Sequence, residues 1–255
     1  MKDILISSVA EKLIEARKEA KVINSDDVTA SLSFDQAYDV QAEVIRLNQA
    51  AVNPVIGWKA AMSNQAAMSR FDLEEPVFAP LFRDMFLADD VLRKENAVAP
   101  KVEVELAFIL GKDIVPAVND EDILAAIESI CPAFEVADCR ISDWKFNISA
   151  FIADNAAAGF IRLGKPVTLS SVSDFNNIPC TLHVNGEEYH EVPGNIFGGS
   201  LLSFVGIVRH VLNHHGGLNK GDVIMSGSLT LPLNMKPGSV YHLNMIEQDL
   251  YLSYQ

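Results

Sequence analysis

The stretch that most constrains this chain runs Pro100-Lys101-Val102-Glu103-Val104-Glu105-Leu106-Ala107-Phe108-Ile109-Leu110. Read as a strand, its period of two sends Val102, Val104, Leu106, Phe108 and Leu110 to one face, and Glu103, Glu105, Ala107 and Ile109 to the other. The apolar row demands a core beneath it. On the opposite face two carboxylates point the same way beside Ala and Ile, where they repel each other and lose hydration unless solvent or a cation lies between them. A bound divalent ion resolves that conflict. A solvated edge strand with two exposed acids is the plainer alternative.

The rest of the composition narrows the classes of partner. With 255 residues, 49% of them hydrophobic, the chain has ample material for one large folded domain. A formal charge of -14 repels phosphate backbones and anionic lipid surfaces, so neither nucleic acid nor membrane is expected as a partner. Asp3 interrupts any early apolar run, and the most apolar helical stretch, Leu201 to Leu212, is short and contains Arg209. A cytoplasmic location is the expectation. Cys131, Cys139 and Cys180 are odd in number and not closely spaced, which suits packing in a reducing compartment.

Apolar residues recur at helical spacing through Leu5, Val9, Leu13, Ala16 and Ala20, predicting an amphipathic helix that ends near Asn24-Ser25-Asp26. Ser33 with Gln36 forms a capping-box signature opening a second helix. Pro54 closes this helical region, and no flexible linker follows it. Val55 to Met62 then reads as a strand, followed by a helical turn at Gln65 to Met68 and a Pro-punctuated loop from Glu74 to Pro80. Asn119 is placed to cap a helix reaching Ile130, and Ala133 to Ala137 reads as a strand. Asn185-Gly186 marks a hairpin, Ser200 and Gly216 bracket a helix, and Pro237-Gly238 precedes a strand from Val240 to Ile246. Helices lead and strands dominate later. The expected class is α+β with a largely antiparallel or mixed sheet, residues 1–53 forming a helical region continuous with a sheet domain over 54–255.

Glu135 stands alone among Ala133, Phe134, Val136 and Ala137, where an unpaired charge is costly. If its strand neighbours the Glu-x-Glu strand, Glu103, Glu105 and Glu135 form a hard oxygen set suited to Mg²⁺ or Mn²⁺. Otherwise Glu135 is an edge residue or an ion-pair partner. Lys59 shows the same anomaly with opposite sign between Trp58 and Ala60-Ala61-Met62: a proton carrier, a carboxylate holder or a snorkelling surface Lys. Ser226-Gly227-Ser228-Leu229-Thr230 can offer hydroxyls and amides to an anion, or be a plain turn. His210 and His214 have a zinc-compatible spacing with His215 adjacent, but lack the Glu of the hydrolytic zinc motif, so a solvated helix end is expected there. No nucleophile elbow, Walker-type loop or Rossmann fingerprint is present.

Several of these residues, taken in order, resemble a known pattern. Gly57-Trp58-Lys59, the segment from Glu75 to Met85, Pro100 to Glu105, Pro132-Ala133-Phe134-Glu135, Ala153-Asp154-Asn155-Ala156 and Gly221 to Ser228 follow the order of the 2-oxopent-4-enoate hydratase and 4-oxalocrotonate decarboxylase group of the fumarylacetoacetate hydrolase-like superfamily. Ala37-Tyr38-Asp39-Val40-Gln41 extends the resemblance into the N-terminal helices. It implies a mixed β-roll behind the helical layer and a Mg²⁺ or Mn²⁺ held by Glu103, Glu105 and Glu135. It also implies catalysis by Lys59, substrate contacts from Ser226, Ser228, Asp154 and Asn155, and a homo-oligomer. The implied reaction is hydration of 2-hydroxypenta-2,4-dienoate to 4-hydroxy-2-oxopentanoate in aromatic ring-cleavage catabolism. Its alternatives are a decarboxylase of 4-oxalocrotonate, a related oxo-acid hydrolase, or a non-catalytic partner subunit or oxo-acid-binding paralogue. The chain departs from the pattern at Val77, where Asp is usual, at Ala61 for Gly, at Lys101 for Arg and at Gln248-Asp249-Leu250.

Overall fold

The computed structural model describes residues 2–25, 32–189, 196 and 198–255. Two helices come first, α1 (Lys2–Lys18) and α2 (Phe34–Ala50). Ser33 caps α2 with both bonds of the expected capping box, its side chain accepting from the Gln36 amide while Gln36 accepts from the Ser33 amide. Helix α1 stops well before the predicted end, because Ala20 turns left-handed (φ 48°) and the chain leaves to bridge Ile23 to Ile141. Asp26, the last residue of that expected terminus, lies outside the described residues.

Strand β1 (Val55–Ala61) is followed by the short helix α3 (Gln65–Arg70), then by β2 (Val77–Phe82) and β3 (Val91–Leu92). The expected loop at Glu74 to Pro80 is therefore half strand. Pro80 is tolerated because β2 is an edge strand that needs donors on one side only. Strand β4 (Pro100–Leu110) leads to α4 (Asp120–Leu124) and β5 (Ile127–Asp138). Asn119 caps α4 as expected, accepting from the Asp122 amide, but the helix is a single turn. Ile127 and Ile130 belong instead to β5, where branched side chains pack well on the pleat.

Helix α5 (Ile148–Ala153), β6 (Ala158–Leu163), β7 (Cys180–Val184) and β8 (Glu187–Tyr189) follow. The β7–β8 turn is the predicted hairpin, with Asn185 and Gly186 both at positive φ. The long helix α6 (Gly199–His214) precedes β9 (Val223–Ser228), β10 (Leu233–Asn234), β11 (Ser239–Met245) and β12 (Gln248–Tyr254).

The strands form two sheets. A seven-stranded sheet runs β2-β1-β9-β4-β5-β6 with β10 beside β4, and a five-stranded sheet runs β3-β12-β11-β7-β8. The larger sheet is antiparallel except for the β1–β9 pair, which makes it mixed, and the α+β class with a leading helical layer is what the sequence predicts. Its two faces bury separate cores. On one face Val102, Val104, Leu106, Phe108 and Leu110 pack with Trp58, Phe78, Phe204 and residues of the smaller sheet such as Tyr241 and Leu252. On the other, Ala79, Leu81, Ala107, Ala133 and Met225 pack beneath α1, α2 and α5. The acids of β4 share this second face.

Candidate metal centre

Strands β4 and β5 are antiparallel and in a register that puts Glu103 directly opposite Glu135. Directly opposed residues on one face have their Cβ atoms about 5 Å apart, so the sheet itself forces these carboxylates together. Glu105, two residues along β4, joins them, and one oxygen from each of the three acids lies within 4.8 Å of the other two. Among the described residues this is the one group of three or more metal-ligating side chains so arranged. A slip of one residue in the register would send Glu135 to the opposite core.

Lys59 reaches the cluster from β1. It is 3% exposed and its Nζ donates to Glu135 Oε1 at 2.5 Å, which removes the snorkelling alternative. The neighbouring turn supplies a further donor. The Gly227 amide donates to Glu105 Oε2 at 2.9 Å, from a residue at φ 101° whose Cβ, if present, would stand 2.4 Å from Ser63 Oγ. Glycine is required there on both counts. The other oxygen, Glu105 Oε1, is buried with no hydrogen-bond partner.

The charge balance is incomplete. Three carboxylates face one ammonium, and burial, reinforced by the Glu135 charge and opposed by Lys59, pushes the Glu103 carboxyl up to about 7. Burial and the charges of Glu135 and Glu103 hold Glu105 well above the usual carboxylate range, against the pull of Lys59 and the Gly227 amide. A missing positive charge and an orphaned carboxylate oxygen are what a hard divalent cation supplies and satisfies, so the residues fit Mg²⁺ or Mn²⁺.

Of the three acids, Glu103 lines a cavity of about 230 Å³, while Glu105 and Glu135 are fully buried beside it. Lys59, Glu103 and Ser228 stand at one end, Ser63, Asn64 and Thr230 contribute polar groups, and Trp144, Phe151, Leu231 and Pro232 form apolar wall. Ser228 Oγ donates to the Thr230 carbonyl at 2.6 Å, which fixes the mouth of this loop. Three other expected substrate contacts sit elsewhere. Ser226 is fully buried with its side chain outside the cavity lining, and its carbonyl accepts from Ser203 Oγ on α6. Asp154 is buried in an ion pair with Arg140, whose Nε donates to Asp154 Oδ1 at 2.7 Å. Asn155 donates to the Pro80 carbonyl at 3.0 Å, behind the wall.

These last two act on the shape of the cavity. After α5, Asn155, Ala156 and Ala157 all adopt left-handed conformations (φ 54°, 49° and 54°), and Ala156 and Ala157 line the site. Arg140 clamps this turn by donating to the Asp154 carbonyl at 2.5 Å and the Ala158 carbonyl at 3.0 Å. Such strain persists only where surroundings over-determine it. The sequence marks Ser226 to Thr230 as a source of hydroxyls and amides for an anion, and the structure directs the Gly227 amide to the Glu105 carboxylate. Trp144 carried only its size as a signal.

Helix-fronted mixed sheets of this kind form a fold class with solved members. The structure superposes on a 4-oxalocrotonate decarboxylase from Pseudomonas putida G7, complexed with magnesium and adipate, with a TM-score of 0.90 and 24% identity, covering 98% of this chain and 97% of that one. A family model described as fumarylacetoacetate (FAA) hydrolase C-terminal matches residues 43–248. The chain belongs to the fumarylacetoacetate hydrolase family, as the ordered motifs implied. It is 30% identical to a 2-hydroxyhexa-2,4-dienoate hydratase of Comamonas testosteroni over 88% of this chain and 87% of that protein. A 2-hydroxypent-2,4-dienoate hydratase of Pseudomonas putida is 29% identical, over 85% of this chain and 99% of its own length. A 4-oxalocrotonate decarboxylase of the same species is 28% identical over 91% of this chain and 90% of that protein.

Proposed function

We propose that this protein is a metal-dependent hydro-lyase that adds water to 2-hydroxypenta-2,4-dienoate or a close homologue, giving a 4-hydroxy-2-oxo acid. The observation that carries this over decarboxylation of a dicarboxylate is the charge of the cavity wall. Among the described lining residues Lys59 is the one cation, and Glu135 already engages it. A second substrate carboxylate would lie against Trp144, Phe151, Leu231 and Pro232 with no cation lining that wall to pair with it, at a desolvation cost of several kcal/mol. Lys101 does not line the cavity; its Nζ stacks 4.1 Å from the centre of the Trp144 ring. A short uncharged tail fits that wall.

Glu103, Glu105 and Glu135 would hold the Mg²⁺ or Mn²⁺, whose Lewis acidity polarises the oxygens of a 2-oxo or 2-hydroxydienoic acid. Lys59 is the proton carrier at the metal end: buried, and hydrogen-bonded to a ligand carboxylate, it can give a proton to the substrate chain and recover it through Glu135. The Gly227 amide fixes Glu105 without using a side chain. Ser228 and Thr230 orient polar atoms at the mouth, while Trp144 and Phe151 confine the tail and limit the waters able to attack.

The names of the relatives support both hydratase and decarboxylase chemistry, and the test separates them. Turnover is measured on 2-hydroxypenta-2,4-dienoate and on 4-oxalocrotonate, each with Mg²⁺ and with Mn²⁺. Formation of 4-hydroxy-2-oxopentanoate without carbon dioxide release from the dicarboxylate is the expected result. Faster decarboxylation would reverse the assignment, and binding without product from either would favour the non-catalytic partner. The same reading includes a cytoplasmic homo-oligomer. It is supported by three free cysteines and by exposed Leu202 and Leu231, apolar surface that a second copy can cover. Light scattering in solution tests the assembly.

A further inference from the structure

Three histidine rings gather on the opposite side of the large sheet from the carboxylates. His210 and His214 stand one turn apart on the last two turns of α6, with ring centres 4.8 Å apart, and His215 follows with its ring 5.8 Å from His210. His214 is exposed, as a solvated helix end would be, but the His210 and His215 rings are partly buried against other aromatic rings. His210 is wedged between Phe78 (4.8 Å) and Tyr38 (5.7 Å), and His215 lies on Trp58 at 4.5 Å. All three histidines line a cavity of about 480 Å³ between α6 and the start of α2, whose rim carries Asp35 and Glu75.

Two observations point to a ligand in this space. His210 Nε2 is buried and has no hydrogen-bond partner, and the His214 ring stands 4.8 Å from the His210 ring on the same cavity. The acidic rim draws cations towards them. We propose that this cavity is a second metal site, taking a borderline divalent transition-metal ion such as Zn²⁺ or Ni²⁺ through His210 and His214, with water completing the shell. Histidines four apart on a helix present their nitrogens to one point, and imidazole prefers such ions where the oxygen-only trio prefers Mg²⁺ or Mn²⁺. The two sites therefore sort metals by donor chemistry, with β1 between them presenting Trp58 to one and Lys59 to the other.

The test uses tag-free, Mg²⁺-loaded protein and Ni²⁺ as the probe, with equilibrium dialysis and calorimetry giving stoichiometry and affinity. One Ni²⁺ per chain, with Kd below about 0.1 mM, is expected. His214→Ala, at an exposed position that does not threaten the fold, should weaken it about tenfold or more, as should His210→Gln, while Glu105→Gln should retain it. Absence of Ni²⁺ uptake in that range, uptake unchanged in His214→Ala, or uptake lost with Glu105→Gln overturns the proposal.

Discussion

At the scale of single residues, the site depends on charges that would not be buried without a counter-ion. Glu105 is fully buried, holds one oxygen on the Gly227 amide and leaves the other without a partner. Glu105→Gln keeps the shape but removes the charge that a cation needs, so Mg²⁺ binding and turnover should both fall by at least about a hundredfold. Calorimetric titration with Mg²⁺ checks this, and undiminished binding would remove Glu105 from the ligand set. Val77 poses the opposite question. It is 1% exposed, on the Lys59 side of the sheet, opposite Ala61 of the cavity wall. Val77→Asp should lower Tm, because it buries a carboxyl among apolar neighbours, and should raise the hydration rate if an acid near Lys59 is what the chain lacks. An unchanged rate with a lowered Tm would show that the missing carboxyl does not limit catalysis. Glu103, Glu105, Glu135 and Lys59 were each legible in the sequence because a charged residue inside an apolar run is an anomaly that needs a cause. Asp154 and Asn155 were legible as a motif only, and their ion pair and carbonyl contact place them behind the wall.

At the scale of elements, the register of β4 and β5 does the assembling, and turns refine it. The alternation along β4 determines which face the acids take, and pairing with β5 then brings Glu135 opposite Glu103. The end of β9 contributes backbone. Gly227→Ala would drive a Cβ against Ser63 in a left-handed conformation and pull the amide from Glu105. It should therefore reduce turnover about tenfold or more with secondary structure intact, the expected signature of a displaced backbone donor. A variant of full activity and unchanged Mg²⁺ affinity would show that the amide is dispensable. Element boundaries were where sequence patterns failed. Pro80 suggested a loop but sits in an edge strand, and Ile127 and Ile130 suggested helix but pair as strand, since short apolar runs carry no period of their own.

For the whole molecule, both faces of the large sheet are buried, and each cover matters. Helices α1 and α2 bury Val9, Ala10, Leu13, Ala37, Val40 and Val44 on the same face that carries the acids. We therefore propose that residues 1–53 and 54–255 fold as one cooperative unit. A chain beginning at residue 54 should expose this core and fail to give a single sharp thermal transition; a truncated chain that unfolds cooperatively at the original Tm would show two independent units. The opposite face has its own acid limit. Burial holds His210 and His215 neutral in the folded protein, while the unfolded chain protonates them near pH 6.5. Their folded-state affinity for protons is the lower one, so stability is lost as pH falls from about 6.5 towards 4 for His215 and about 3 for His210. In metal-free buffer, Tm should drop over that interval, and His210→Phe should flatten the drop. An equal slope in the variant would mean that other groups set the acid limit.

By itself the sequence determined the alternation of β4, the capped second helix, the Asn-Gly hairpin, the acidic trio with its lysine, and family membership, because each depends on residue type at short range or on ordered motifs. Tertiary structure alone decided that Glu103 meets Glu135, that an amide of Gly227 serves Glu105, that Asp154 holds a strained turn instead of lining the cavity, and that three histidines face a second pocket. Register, backbone donors and the burial of a helix end are properties of how distant segments pack, and no local pattern encodes them.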